Sequence, residues 1–106
     1  MGRIVIACYR PKPGKAEDLR ALMKEHLSVL RSENLVTDRE SVTMEAKDGT
    51  ILEVFEWKSA EAVEAAHTNP TVAKMWERYA DACEYVPLRW VAESADLFAM
   101  FDPFDA

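Results

Sequence analysis

Ser41-Val42-Thr43-Met44-Glu45-Ala46-Lys47-Asp48-Gly49-Thr50-Ile51-Leu52-Glu53-Val54-Phe55-Glu56-Trp57 is the stretch whose reading decides the fold. Its first seven residues alternate. Val42, Met44 and Ala46 share one face, and Ser41, Thr43 and Glu45 share the other, as in a strand with one wet side. Asp48-Gly49 is a hairpin signal, because the turn needs residues that tolerate positive φ. Thr50 to Trp57 is the returning strand, and it is apolar on both sides: Leu52 and Val54 oppose Ile51, Phe55 and Trp57.

Upstream of this hairpin, Ile4 to Tyr9 is a short β-branched run stopped by Pro11-Lys12-Pro13-Gly14. Leu19, Leu22, Met23, His26, Leu27 and Leu30 then recur at helical spacing, which predicts one long amphipathic helix from about Lys15 to Ser32, with Asn34 as its C-cap. Downstream, Ser59 is an N-cap for a short helix ending near His67. Asn69-Pro70 opens a second helix running to about Cys83, with Val72, Met75, Trp76, Tyr79 and Cys83 in a stripe. Tyr85 to Val91 reads as a last strand, bulged at Pro87. The order is strand–helix–strand–strand–helix–strand. This predicts an α+β, ferredoxin-like βαββαβ sandwich: an antiparallel sheet in the order 4-1-3-2, with helices on one face and the Ser41–Lys47 strand at an edge.

The helix-free face of such a sheet should be polar in a monomer, but here it is not. Ile4, Ile6 and Cys8 oppose Val5, Ala7 and Tyr9, and Val86, Leu88 and Trp90 oppose Tyr85 and Val91. A greasy face of that extent is expected to meet the same face of a second copy, giving a two-fold homodimer and a dimeric α/β barrel. Each large side chain buried there is worth about 1.5–3 kcal/mol before association costs. The alternative is that the segment after about residue 92 covers this face within one chain. That segment holds Leu97, Phe98, Met100, Phe101 and Phe104 among Asp96, Asp102 and Asp105, and it must dock on its own chain or on a partner.

The 106 residues suit a single domain, with a core over residues 3–92 and a docking tail over 93–106. Thirteen Lys and Arg against 19 Asp and Glu give a net charge of −6, which speaks against a nucleic-acid binder or a protein held on an anionic membrane. The apolar runs are too short to span a bilayer, and the N-terminus lacks the pattern of a signal peptide, so the expected location is the cytoplasm. Cys8 and Cys83 are then expected to be reduced, buried thiols.

The candidate site residues are few. His67, near the end of the short helix, is a candidate base; the plainer reading is a histidine that caps helix carbonyls. His26, on the apolar face of the long helix, looks toward the sheet as a second candidate base or as a satisfied core histidine. Arg89, between Leu88 and Trp90, is expected to be buried and so to need an anion: Glu53, Glu56 or a ligand. Glu53 is the most conspicuous charge in an apolar strand. Trp57, Trp76, Tyr79 and Trp90 could line a flat pocket for an aromatic ligand, with the core the plainer reading for Trp57 and Trp90; Glu53 is a further candidate for binding substrate, and Cys8 is a candidate small apolar wall. The spacing of His, Cys and carboxylates predicts no metal site, and there is no phosphate loop or nucleophile elbow.

Three motifs carry a family resemblance: Tyr9-Arg10-Pro11-Lys12-Pro13-Gly14-Lys15, Glu53-Val54-Phe55-Glu56-Trp57-Lys58-Ser59, and Ala65-Ala66-His67 followed by Asn69-Pro70 and Val72…Met75-Trp76. Over residues 3 to about 92 the chain resembles the dimeric α+β-barrel proteins of the antibiotic-biosynthesis-monooxygenase type. The resemblance implies a cofactor-independent monooxygenase acting on a small quinol- or anthrone-type aromatic. His67 or His26 would be the base, Arg89 the anion stabiliser, and Trp76 and Tyr79 the wall. The alternative is a non-catalytic homodimer that binds a small apolar molecule. The heme-degrading branch of that superfamily resembles an Asn–Trp–His arrangement. Here those positions fall near Ala7, Ala66 and Trp76, so heme degradation is not expected.

Overall fold

The structure is a computed structural model and describes residues 2–104. Asp105, counted with the tail above, lies outside the described residues. Five strands form one antiparallel sheet in the order β4-β1-β3-β2-β5. They are β1 (Arg3–Pro11), β2 (Val42–Glu45), β3 (Ile51–Trp57), β4 (Cys83–Tyr85) and β5 (Asp102–Pro103). Helices α1 (Ala16–Met23), α2 (His26–Ser32), α3 (Ala60–Thr68) and α4 (Pro70–Ala82) complete a ferredoxin-like α+β fold.

The hairpin closes as its residues require. Gly49 N–H bonds the Ala46 carbonyl at 3.0 Å, Ala46 N–H bonds the Thr50 carbonyl at 2.8 Å, and Gly49 takes φ 92°. The Asp48 carboxylate accepts Thr50 N–H at 2.8 Å. Burial alone would raise the Asp48 pKa, but the Thr50 bonds and the nearby Arg10 outweigh it and hold it low.

The helix expected over 15–32 is two helices. The Glu25 N–H reaches back three residues to the Leu22 carbonyl at 3.1 Å, which tightens the turn and starts α2 at His26. Asn34 ends α2 in the left-handed region at φ 61°, and Leu35 N–H bonds the Leu30 carbonyl at 3.0 Å. Ser59 caps α3 by accepting Ala62 N–H, and Asn69 caps α4 by accepting Thr71 and Val72 N–H.

The last strand is shorter and earlier than expected. Backbone pairing with β1 covers only Cys83–Tyr85, and the chain then turns through 3₁₀ segments at Leu88–Trp90 and Ala92–Ala95. Pro87, which has no N–H to offer a ladder, stands at the break. Nor is β2 an edge strand. Residues 102–103 add β5 to it, and Phe104 packs under the Arg20 guanidinium at 4.6 Å from its ring centre.

Two apolar clusters lie on opposite sides of the sheet. The larger one joins the inward faces of all four helices to Tyr9, Ile51, Phe55 and Trp57. The smaller one joins Cys8, Ala46 and Leu52 to Val86 and Val91, with Met44 and Phe101 against it. The chain after β4 therefore covers one end of the helix-free face itself. The other end is bare: Ile4 is 59% exposed, Ile6 47% and Val42 56%. Leu97, Phe98 and Met100 also stand in solvent. Among the described residues, no helix is long and apolar enough to cross a membrane.

Candidate functional site

A cleft of about 420 Å³ opens between the sheet and its helices. Its floor is made by alternate residues of β1, Val5, Ala7 and Tyr9, and by their neighbours Phe55 and Trp57 on β3. Tyr85 on β4, directly across from Tyr9, forms one rim. His26 closes one side. His67 and Trp76, in edge-to-face contact at 5.3 Å, bring α3 and α4 to the other. The cleft exists because Val5 and Ala7 are small where their neighbours are aromatic.

His26 is 4% exposed, and three aromatic rings fix its imidazole: Tyr79 at 5.3 Å, Phe55 at 5.7 Å and Tyr9 at 6.0 Å. Its Nδ1 lies 2.8 Å from Oε1 of Glu53, a carboxylate that is 2% exposed. The Tyr9 hydroxyl donates to the same oxygen at 3.1 Å. Among the described residues, no protein group bonds His26 Nε2. Burial, then the Glu53 charge, pushes the Tyr9 phenol well above its ordinary pKa, so it stays a neutral donor. Burial does the same to Tyr79, whose hydroxyl donates to Met23 Sδ at 3.4 Å. Tyr85 is pushed up to about 12, again chiefly by burial.

His67 is exposed at the mouth. Its Nδ1 lies 2.8 Å from the Val63 carbonyl, which can only accept, so Nδ1 is the donor. The helix-capping reading of His67 thus describes its Nδ1, while its ring still lines the cleft.

The structure brings His26, His67, Trp57 and Trp76 together on the cleft, with Glu53 directly behind His26. It leaves four expected residues elsewhere. Arg89 is exposed in the 3₁₀ turn, because the strand that would have buried it stops at Tyr85; it pairs with neither Glu53 nor Glu56. Glu53 bonds His26 and Tyr9 instead, and Glu56 bonds Thr37 and Arg39. Tyr79 is 0% exposed, a core residue behind the cleft rather than its wall. Cys8 points to the opposite sheet face, among Ala46, Leu52, Val86 and Val91. Trp90, expected in the core, is 56% exposed.

Sequence reasoning missed Val5, Ala7, Tyr9, Phe55 and Tyr85 as lining residues. The signal was strand parity: all five fall on the helix side of their strands, the side that also holds Glu53. Among the described residues there is no group of three or more His, Cys, Asp or Glu able to hold a metal ion.

No protein-family model matches the chain. No curated protein matches it either. Among solved structures, it is similar to the structure of Rv0793 from Mycobacterium tuberculosis. The two are 20% identical over 81% of this chain and 89% of that chain, with a TM-score of 0.65. At that identity the likeness is one of fold alone.

Proposed function

We propose that the cleft receives a small, flat, electron-rich aromatic and that the chain acts on it as a cofactor-independent monooxygenase of the quinol or anthrone type. One observation carries this reading: a nearly buried imidazole, His26, presents an unpartnered nitrogen to a cleft whose other walls are almost wholly aromatic and aliphatic. Such walls favour a flat apolar body, and a single basic nitrogen selects a ligand with an acidic O–H or C–H.

The chemistry follows from removing that proton. His26 takes it, leaving a substrate anion against the apolar walls of the cleft. The anion supplies electrons to O₂, and a carbon–oxygen bond forms. The resulting peroxide anion takes the proton back from His26 to become a hydroperoxide, which loses water to leave a carbonyl, so one oxygen atom stays in the product and the other departs in water. The role first given to Arg89 passes to the protonated His26, the positive charge nearest the anion.

Oxygen uptake with a panel of quinols and anthrones tests this reading. Uptake that is lost in His26→Ala supports it, and no uptake with any of them overturns it. A second reading, a small-molecule binder without turnover, draws on the cleft lining, which includes no lysine or arginine to hold a long-lived anion. Tight binding of these aromatics without oxygen consumption would favour it. In either reading the chain works as a two-fold homodimer through the bare end of the helix-free face, where Ile4, Ile6 and Val42 lie.

A further inference from the structure

We infer that Glu53 is a positioning residue that fixes His26 with its proton on Nδ1, so that Nε2 is the proton-accepting atom of the cleft, and that Tyr9 holds Glu53 in that task. The inference rests on the functional reading above and gives its base a defined atom and a defined support.

The geometry leaves little choice of proton positions. Oε1 of Glu53 receives two groups, the Tyr9 hydroxyl at 3.1 Å and His26 Nδ1 at 2.8 Å. An oxygen that already accepts from one donor, and whose second neighbour is an imidazole nitrogen, is best satisfied when that nitrogen also donates. The Nδ1–H tautomer leaves the lone pair on Nε2. The alternative tautomer would set a lone pair against a carboxylate oxygen in a site with almost no solvent to separate them.

The fold builds this arrangement from three elements. Glu53 stands on β3 directly across from Ala7. Tyr9, two residues further along β1, reaches the same carboxylate. The start of α2, set by the tightened turn at Glu25, delivers the imidazole. The titratable groups around the ring are Glu53 from β3, Tyr9 from β1 and Tyr79 from α4, and both phenols stay neutral. When His26 Nε2 takes a proton from a ligand O–H, that bond breaks and an N–H bond forms. The imidazolium then keeps its Nδ1–H on Glu53, so the new positive charge forms beside a carboxylate already in place.

Two measurements test this on the full chain. Nitrogen NMR of the histidine rings is expected to show the neutral His26 ring protonated at Nδ1 and bare at Nε2. Para-nitrophenol, whose phenolate absorbs visible light, then reports proton transfer: the bound probe is expected to be more ionised than the free probe in the same buffer. Glu53→Gln should bind it within ~3-fold yet lower the bound phenolate-to-phenol ratio by ~10-fold or more, since a neutral amide no longer stabilises the imidazolium. Tyr9→Phe keeps the pair and removes one donor, so a smaller fall in the same direction is expected. It also serves if Glu53→Gln does not fold.

A His26 ring protonated at Nε2 instead, or a bound-probe ratio unmoved in both variants, overturns the inference. Oxygen uptake separates the two claims. The expected tautomer with no uptake defeats the oxygenase reading alone. The reversed tautomer with uptake intact defeats the positioning role alone.

Discussion

The two faces of this one sheet solve opposite problems. On the helix-covered face, β1 and β3 place charged and aromatic residues in the interior, where Glu53 bonds His26 Nδ1 and Tyr9, and Tyr79 from α4 bonds Met23, leaving His26 Nε2 to the cleft. On the helix-free face the same strands place Ile4 and Ile6, which are apolar and yet exposed. Chemistry sits where burial is deep, and grease sits where it is shallow. What distinguishes the faces is therefore what covers them, not how hydrophobic they are.

The largest expected difference between them is in stability. Leu30, wholly buried beneath the covered face, should cost about 2–5 kcal/mol when cut to alanine. Ile4→Ala on the bare face should cost the single chain no more than about 0.5–1 kcal/mol. Urea unfolding at low protein concentration compares the two, and equal losses would mean that the bare face is packed in solution even there.

Next comes association. The chain is expected to sediment at twice its 12.0 kDa mass, and Ile6→Asp should return it to one copy, weakening assembly by ~100-fold or more. A wild-type chain that sediments at 12.0 kDa at micromolar concentration would show that the face lives in water.

A smaller effect is expected in alkali, and it arises on the covered side. Burial lifts the Cys83 thiol to about 11 and the Tyr9 phenol well above its ordinary value. In the unfolded chain these groups ionise near about 8.5 and 10. Between the unfolded and folded values the unfolded chain holds fewer protons, so rising pH favours unfolding. Stability should be level through neutrality and fall on the order of 1 kcal/mol by about pH 10. Cys83→Ala should remove the first part of that slope in urea midpoints, and a slope unchanged by it would reassign the effect.

The smallest expected effect concerns the mouth. His67→Ala should weaken para-nitrophenol binding by no more than about 3-fold, because the ring adds one rim contact and its Nδ1 serves the helix. A loss as large as that of His26→Ala would move the base to His67.

Local chemistry made most of the fold legible in the sequence. Asp48-Gly49, Ser59 and Asn69-Pro70 each act through bonds to their near neighbours, and each turn or cap forms as those residues dictate. The break between α1 and α2 was hidden, since neither Gly nor Pro marks Lys24-Glu25. The end of β4 was hidden for another reason. Leu88, Arg89 and Trp90 have strand-like spacing, but the ladder needs donors that Pro87 does not supply.

Half of the site was legible in the same sense. His26 and Glu53 were conspicuous as polar residues on apolar faces, but their pairing depends on how β3 and α2 meet, which no local rule encodes. Arg89 went astray with its strand, and Cys8 went astray because the cleft side of β1 is the side of Val5, Ala7 and Tyr9.

The methyl group of Ala7 acts as a depth gauge for the whole cavity. The β1 ladder that carries it is made by main-chain atoms, and these are indifferent to side-chain length. Lengthening that one side chain would raise the floor while leaving every backbone bond of the sheet intact. A lineage could thus resize its preferred guest one carbon at a time, without renegotiating the architecture that holds the imidazole.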